Sequence, residues 1–382
     1  MIKVLLWSPH GAGRHYYGPG TNAYNLYRVA REQYELELIL IHSSANQRDN
    51  NIYDGVERLR GEFGLLFFSF SRYLFESFRT LWRYRNHGYI FHGLDVYTPT
   101  FLPAMIAKLL GYEVCLKVAS SPSGLSISNH WMLSKLRAFF AHYIDRYFVI
   151  SDEIKEELLS LGIEANQLVM TYNGVDAHHY ENEQKACPPE TSMAPADHSL
   201  TLLFTGAVCR RKQPHMLLEA VAACSSSIQW TVVLVGPVQD QVYFQEMQDF
   251  CRKEGITERV QFYGYQSELR DYYHRADVYA LPSLGEGMPN GVLEAMASAL
   301  PIIATPFSSA RLLCRAENGY IVEDLTGIVK ALEELARDPV LRQNMGLVSR
   351  SIVEQKFSME SVACEYLNCF KKLGLSRKDT YG

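Results

Sequence analysis

The chain has 382 residues, with 37 Lys and Arg against 42 Asp and Glu and a formal net charge of -5. That length suffices for two domains, and a hydrophobic fraction of 47% can supply two cores. The near balance of charge, with no basic block, argues against a nucleic-acid partner, and no apolar run approaches the roughly 20 residues of a membrane span.

In chain order, Ile2-Lys3-Val4-Leu5-Leu6-Trp7 predicts a buried first strand and is too short for a secretory signal. A glycine-rich loop at 11–20 and a helix at 21–31 follow. Further strands are expected at 36–41, 88–91, 113–118 and 146–150, with helices at 133–141 and 153–161. The stretch 65–84 is dense in aromatic residues and carries Arg72, Arg79 and Arg83, with Arg85 just beyond. Phe68, Phe75, Phe78 and Trp82 fit one helical face. Two readings stay open for it: core packing with an exposed fringe, or a basic aromatic helix resting on an anionic membrane or gripping a lipid-linked substrate.

Residues 180–199, with Pro188, Pro189 and Pro195, read as a linker. Beyond it the pattern repeats, with strands at 200–206, 230–236, 259–263, 278–281 and 302–305 and helices at 216–223, 241–254 and 269–275. This alternation predicts an α/β fold of mostly parallel sheets covered by helices on both faces. Ligands of such sheets bind beyond the C-terminal ends of the strands, and two facing sheets would make an interdomain cleft. Cysteines at 115, 187, 209, 224, 251, 314, 364 and 369 form no CxxC pair, which argues for reduced thiols in cytoplasm rather than zinc or disulfides.

The segment Glu286-Gly287-Met288-Pro289-Asn290-Gly291-Val292-Leu293-Glu294 places one carboxylate on a loop and another in the first turns of a helix. A helix N-terminus suits a phosphate, whereas carboxylates repel one and suit hydroxyl groups. A phosphate flanked by two polyols describes a nucleotide sugar; the alternative is a loop with a helix-capping glutamate.

The string EGMPNGVLEAMASALPIIAT resembles the donor-site signature of retaining glycosyltransferases of family 4. Tyr17-Gly18-Pro19-Gly20 is similar to that family's N-terminal glycine-rich loop, and Tyr172-Asn173-Gly174-Val175-Asp176 to its NGVD stretch. Phe204-Thr205-Gly206-Ala207-Val208 with Lys212 resembles its phosphate-binding strand and lysine, and Phe262-Tyr263-Gly264-Tyr265 and Ala276-Asp277-Val278 complete the set. The resemblance covers most of the chain and is most specific at about 200–320.

The resemblance implies a GT-B architecture: two Rossmann-like domains with parallel sheets facing an interdomain cleft. The expected division is an acceptor domain at 1–179, the linker at 180–199, a donor domain at 200–353, and at 354–382 a helix crossing back to the first domain. It further implies transfer from a nucleoside diphosphate sugar with retention, with no cofactor and no metal. A UDP-sugar is the favoured donor and a GDP-sugar the alternative; the acceptor would be a glycan or a lipid-linked molecule. The protein would be cytoplasmic, with peripheral membrane contact at the inner face as an option. No Asp-x-Asp occurs in the chain, which weakens a magnesium-clamp alternative.

By residue, the resemblance matches Glu286 to hydroxyls of the transferred sugar and Glu294 to the ribose hydroxyls. Lys212 is the expected cation for the departing phosphate, making Lys212 and Glu286 the catalytic candidates. Gly18, Gly20, Gly206, Arg211, Tyr265, Met288, Pro289, Asn290, Gly291 and Val292 complete the expected donor site. Ala207 stands where the family commonly has arginine, and Arg210 or Arg211 could substitute. Where many members have a histidine, the chain reads Val118-Ala119-Ser120-Ser121-Pro122, so Ser120 or Ser121 could offer a hydroxyl. His92 and Asp95, after another strand, are weaker acceptor candidates, with a capping or core role as the alternative. Rival functions are a nucleotide-sugar epimerase on the same fold and a non-catalytic nucleotide-sugar-binding subunit.

Overall fold

The structure is a computed structural model that describes residues 1–10, 12, 18–44, 51–59, 67–118, 138–182 and 199–379. It divides into unit 1, Met1–Gly174 with Met359–Gly382, and unit 2, Val175–Ser358. Each unit is built on one sheet whose neighbouring strands all run parallel.

The strands of unit 1 are β1 (Ile2–Trp7), β2 (Leu36–His42), β3 (Gly55–Arg58), β4 (Ile90–Gly93), β5 (Glu113–Val118), β6 (Arg146–Val149) and β7 (Leu168–Met170), in the order β3-β2-β1-β4-β5-β6-β7. Helices α1 (Gly18–Gln33), α2 (Phe67–Tyr84), α3 (Thr98–Leu109) and α4 (Asp152–Ser160) fall between them. Central strands covered on both faces need continuous apolar runs, and Val4 to Trp7 in β1 are fully buried. The strand expected at 88–91 begins at Ile90 instead, because Gly88 turns with φ +72° after α2.

The last helix of the chain, α12 (Met359–Asp379), packs on α1. It buries Met359, Val362, Ala363, Tyr366, Leu367 and Phe370, the spacing of one helical face. Its Tyr366 ring lies with its centroid 4.2 Å from that of Phe148 of β6, tilted by 40°. The chain therefore passes between units twice, at Gly174–Val175 and Ser358–Met359. A side chain at 174 would be crowded, since a Cβ there would lie 2.7 Å from Met359 Sδ and 3.1 Å from its Cα.

Lys117 in β5 is buried, with Nζ 3.0 Å from Asn173 Oδ1 and 3.2 Å from Asn22 Oδ1. Burial pushes its pKa down from 10.5 to about 8. Between those values the unfolded chain holds a proton that the folded chain has lost, so stability rises with pH across that window and the penalty is complete below it. Relative to Lys117→Met, the wild type should gain about 3 kcal/mol as pH passes from neutral to above 10. Urea unfolding of both proteins at the two ends of the window checks this, and a constant gap would contradict it.

Unit 2 contains β8 (Leu200–Thr205), β9 (Trp230–Val235), β10 (Val260–Phe262), β11 (Val278–Leu281), β12 (Ile302–Ala304) and β13 (Gly319–Ile321), in the order β10-β9-β8-β11-β12-β13. Its helices are α5 (His215–Ala223), α6 (Gln241–Lys253), α7 (Arg270–Arg275), α8 (Asn290–Ala297), α9 (Ala310–Leu313), α10 (Leu325–Arg337) and α11 (Pro339–Ile352). Strand order reverses between β8 and β11, and the crevice beyond such a switch point is where open parallel sheets bind ligands. Gly206 and Gly236 end β8 and β9 with φ of +138° and +149°, and a Cβ on Gly236 would lie 2.0 Å from the Gly206 carbonyl oxygen. Buried Arg350 of α11 donates to the Ala177 and Ala297 carbonyls at 2.8 and 2.7 Å and pairs with Glu354 at 2.6 Å. It thereby fixes the entry of the chain against the end of α8.

Candidate functional site

The switch point of unit 2 is formed by the loop after β8, which carries Gly206 to Lys212, and the loop after β11, which carries Ser283 to Pro289. The loops are joined by the backbone, since Leu284 N–H donates to the Arg211 carbonyl at 2.9 Å. Glu286 Oε1 then gathers three donors: Lys212 Nζ at 2.8 Å, Arg211 Nη1 at 2.8 Å and Ser283 Oγ at 3.1 Å. The Lys212 side chain lies over Gly206, where a Cβ would meet Nζ at 3.2 Å. Gln213, next in the chain, holds φ +48°, a left-handed conformation that is strained for a residue with a side chain.

Two cations and a carboxylate in one cluster leave capacity for an anion. An ammonium has three protons and a guanidinium five, and Glu286 takes one contact from each. Arg211 is half-exposed and reaches Glu286, while residue 207 is an alanine. Arg210 turns elsewhere, to Glu246 at 2.7 Å and Asp240 at 3.5 Å, and borders a cavity of about 430 Å³ lined also by His215, Tyr243 and Leu284. That cavity shares no lining residue with Glu286 or Glu294.

Helix α8 begins between the two carboxylates, with Pro289 as its N-cap and no side-chain capping bond. Met288, Pro289 and Val292 are buried, which leaves chiefly backbone to face outward at the helix start, while Asn290 opens the first turn. Gly291 is forced by packing: a Cβ there would lie 2.6 Å from both Thr205 Oγ1 and Tyr279 Oη. Gly291→Ala should therefore cost about 1–3 kcal/mol and push α8 off the end of β8. Chemical denaturation checks this, and an unchanged midpoint would contradict it.

Partly buried Glu294 is held by phenols. Tyr273 Oη donates to Oε2 at 2.7 Å, and the Tyr180 hydroxyl bonds the same carboxylate. Tyr273 Oη also meets Thr205 Oγ1 at 2.7 Å, which lies 3.2 Å from Tyr279 Oη. Burial raises the Glu294 pKa above 4.5, and the bonds from Tyr273 and Tyr180 oppose that rise. Tyr265 is 65% exposed beside Gly264, whose φ is +63°. Thus Gly206, Arg211, Lys212, Glu286 and Glu294 surround the start of α8. Ser283, Tyr180, Tyr273 and Tyr279 join them without having been singled out; Tyr180 falls in the stretch read as linker, and an isolated tyrosine carries no pattern.

In unit 1, Gly18 and Gly20 lie in the first turn of α1 rather than in a preceding loop. His92 does not fit an acceptor contact: it is fully buried, with Nδ1 2.6 Å from Tyr27 Oη and its ring against Phe148, Tyr366 and Phe370. Burial, then the Lys117 charge, lower its pKa to about 3, so it is a neutral core residue. The reason is its place in a central strand, where both faces are covered. Asp95, partly exposed, accepts the Tyr97 N–H at 2.9 Å just before α3. Ser120 and Ser121 lie outside the described residues. Among the described residues, no group of three or more His, Cys, Asp or Glu side chains could hold a metal ion.

Residues 199–338, most of unit 2, match the family described as Glycosyl transferases group 1. The chain is 28% identical over 176 residues to the lipopolysaccharide core biosynthesis glycosyltransferase LpsE of Rhizobium meliloti, covering 45% of this chain and 50% of that protein. It spans about half the length of curated relatives of this kind. Two solved structures superpose over nearly the whole chain. One is HepE of Anabaena in complex with UDP and glucose, at 14% identity, a TM-score of 0.75, and coverage of 97% of this chain and 100% of that one. The other is sucrose-phosphate synthase of Thermosynechococcus elongatus, at 18% identity, a TM-score of 0.76, and coverage of 98% and 100%. The fold is therefore GT-B-like, with two Rossmann-like parallel-sheet domains.

Proposed function

We propose that the chain is a retaining, metal-independent glycosyltransferase of family 4, moving a sugar from a nucleoside diphosphate sugar to a hydroxyl of a glycan or lipid-linked acceptor. The observation that carries this reading is the pair of unlike carboxylates about α8: Glu286 clustered with Lys212 and Arg211, and Glu294 held by Tyr273. The diphosphate takes the helix start and the spare donors of Lys212 and Arg211. Glu294 accepts from the ribose hydroxyls, and Glu286 from hydroxyls of the transferred sugar. A UDP-sugar is favoured, in keeping with the UDP and glucose of the Anabaena structure. Cell-surface polysaccharide or glycoconjugate synthesis on the cytoplasmic side is the setting we favour; the Rhizobium relative's role and the free thiols of the described cysteines support it.

In the step itself, the acceptor oxygen bonds to the anomeric carbon on the face from which the diphosphate departs. The bond from that carbon to the phosphate oxygen breaks, and the acceptor's proton passes to the leaving phosphate. Charge grows on the diphosphate, where preplaced cations and N–H groups stabilise it without reorganising. Proton NMR of UDP-sugar hydrolysis by the purified protein tests the reading. Release first of the donor's own anomer supports retention. The opposite anomer would overturn retention, an epimerised nucleotide sugar would point to an epimerase, and no turnover with donor bound would leave a binding subunit.

A further inference from the structure

Helix α2 of unit 1 is built inside out. Its inner side is formed by Tyr73, Ser77, Thr80 and Leu81, all buried. Tyr73 and Ser77 are satisfied there: Tyr73 Oη donates to the Pro99 carbonyl and receives Trp7 Nε1–H at 3.2 Å, and Ser77 Oγ donates to the Tyr73 carbonyl at 2.7 Å. Its outer side presents Phe75, Phe78 and Trp82, exposed by 63%, 44% and 47%. These positions fall on one helical stripe, and the Phe78 and Trp82 rings lie 5.6 Å apart. Single exposed apolar residues are ordinary, but a contiguous aromatic stripe marks a surface that is covered in use. Core packing does not account for it, since the core side of the helix is already filled.

The charges around the stripe identify what covers it. Arg72, Arg79 and Arg83 are exposed, and the Arg85 guanidinium lies 3.5 Å from the centre of the Trp82 ring. Against these four arginines stand Glu76, paired with Arg79 at 3.1 Å, and Glu57, paired with Arg83 at 2.6 Å. The face is thus aromatic and net positive. We infer that the outer face of α2 docks the protein in plane on an anionic lipid bilayer, Phe75, Phe78 and Trp82 entering the interface and Arg72, Arg79, Arg83 and Arg85 meeting lipid phosphates. Among the described residues no helix is long and apolar enough to cross a membrane, so the contact is peripheral. It does not rest on the transferase reading.

The test is flotation of the full chain with vesicles of phosphatidylcholine alone and of phosphatidylcholine with phosphatidylglycerol, no sugar donor being present. The wild type should float with the anionic vesicles, be released by added salt, and show blue-shifted tryptophan emission when bound. Phe75→Ser/Phe78→Ser/Trp82→Ser should lose binding at least about tenfold with unchanged circular dichroism. Should that variant fail to fold, Arg72→Gln and Arg79→Gln each remove one exposed charge and should cost roughly fivefold in vesicle affinity. Equal binding to both vesicle types, no binding, or full binding by the variants would overturn the proposal. So would a wild-type dimer that the serine variant converts to monomer without any vesicle binding, since the occupant would then be a second copy of the chain.

Discussion

Lys212→Ala should lower turnover by about 10²- to 10³-fold, the scale for losing one preplaced donor to a developing oxyanion. Lys212 Nζ sits 2.8 Å from Glu286 with a side chain only 15% exposed, at the loop that closes the switch point of the second sheet. Removing it takes away a compact positive charge and leaves Glu286 with Arg211 as its one remaining cation in the cluster, so that on the proposed reading a less compensated carboxylate would face the departing phosphate. Both changes oppose charge build-up on the leaving group, so kcat should fall more than donor affinity. Lys212→Arg should rescue only in part, because a planar guanidinium does not reproduce the compact point charge of the ammonium. Steady-state kinetics with direct donor titration separates the terms; a loss below about tenfold, or one confined to KM, would contradict the assignment.

Glu294→Gln carries the second large effect, in which function and stability move in opposite directions. Glu294 accepts from Tyr273 and Tyr180, and on the proposed reading the ionised carboxylate would accept from ribose hydroxyls as well. Hydrogen bonds to a charged group contribute about 1.5–3 kcal/mol each, so donor affinity should fall by roughly 10- to 100-fold. The stability sign follows from burial, which raises the folded pKa of Glu294 above its value of 4.5 in the unfolded chain. Across that interval the folded state binds the proton more tightly, so the contribution is present below 4.5 and lost as pH rises through the folded pKa. At neutral pH the charged carboxylate thus carries a penalty that glutamine lacks, and the variant should be at least as stable as the wild type. The wild type's deficit should vanish below pH 4.5, and donor binding should weaken on acidification earlier than for an ordinary glutamate. Thermal unfolding and donor titration across that pH range would show it; a destabilised variant that still binds donor would refute both halves.

The central strands were the readable part of the fold. β1, β5 and β11 coincide with the mainly apolar runs that marked them, because strands covered on both faces are largely apolar, even though β5 buries Lys117. The strands that sequence periodicity missed, β3, β7 and β13, are short and lie at sheet edges, where burial imposes little pattern. In the site, Glu286, Glu294 and Lys212 were singled out through the resemblance of the stretches that carry them, and the structure sets Lys212 against Glu286 and Tyr273 against Glu294. His92 misled, since a histidine after a strand reads the same whether it lines a cleft or fills a core. Tyr180 and Tyr273 were illegible because their contacts with Glu294 join residues distant in sequence, and Ser283, three residues before Glu286, because a lone serine in a loop carries no pattern. The aromatic helix was ambiguous for a related reason: periodicity located its stripe, and only packing showed that the stripe faces outward.

The most direct test of the central claim is a calorimetric titration of UDP, UDP-sugars and GDP-sugars into the purified chain in the presence of EDTA. Saturable binding at one site by a uridine or guanosine diphosphate compound is expected, unaffected by the chelator and weakened at least about tenfold by Glu294→Gln. A folded protein that binds none of them, or binds one only with added divalent metal and equally well without the Glu294 carboxylate, would contradict it.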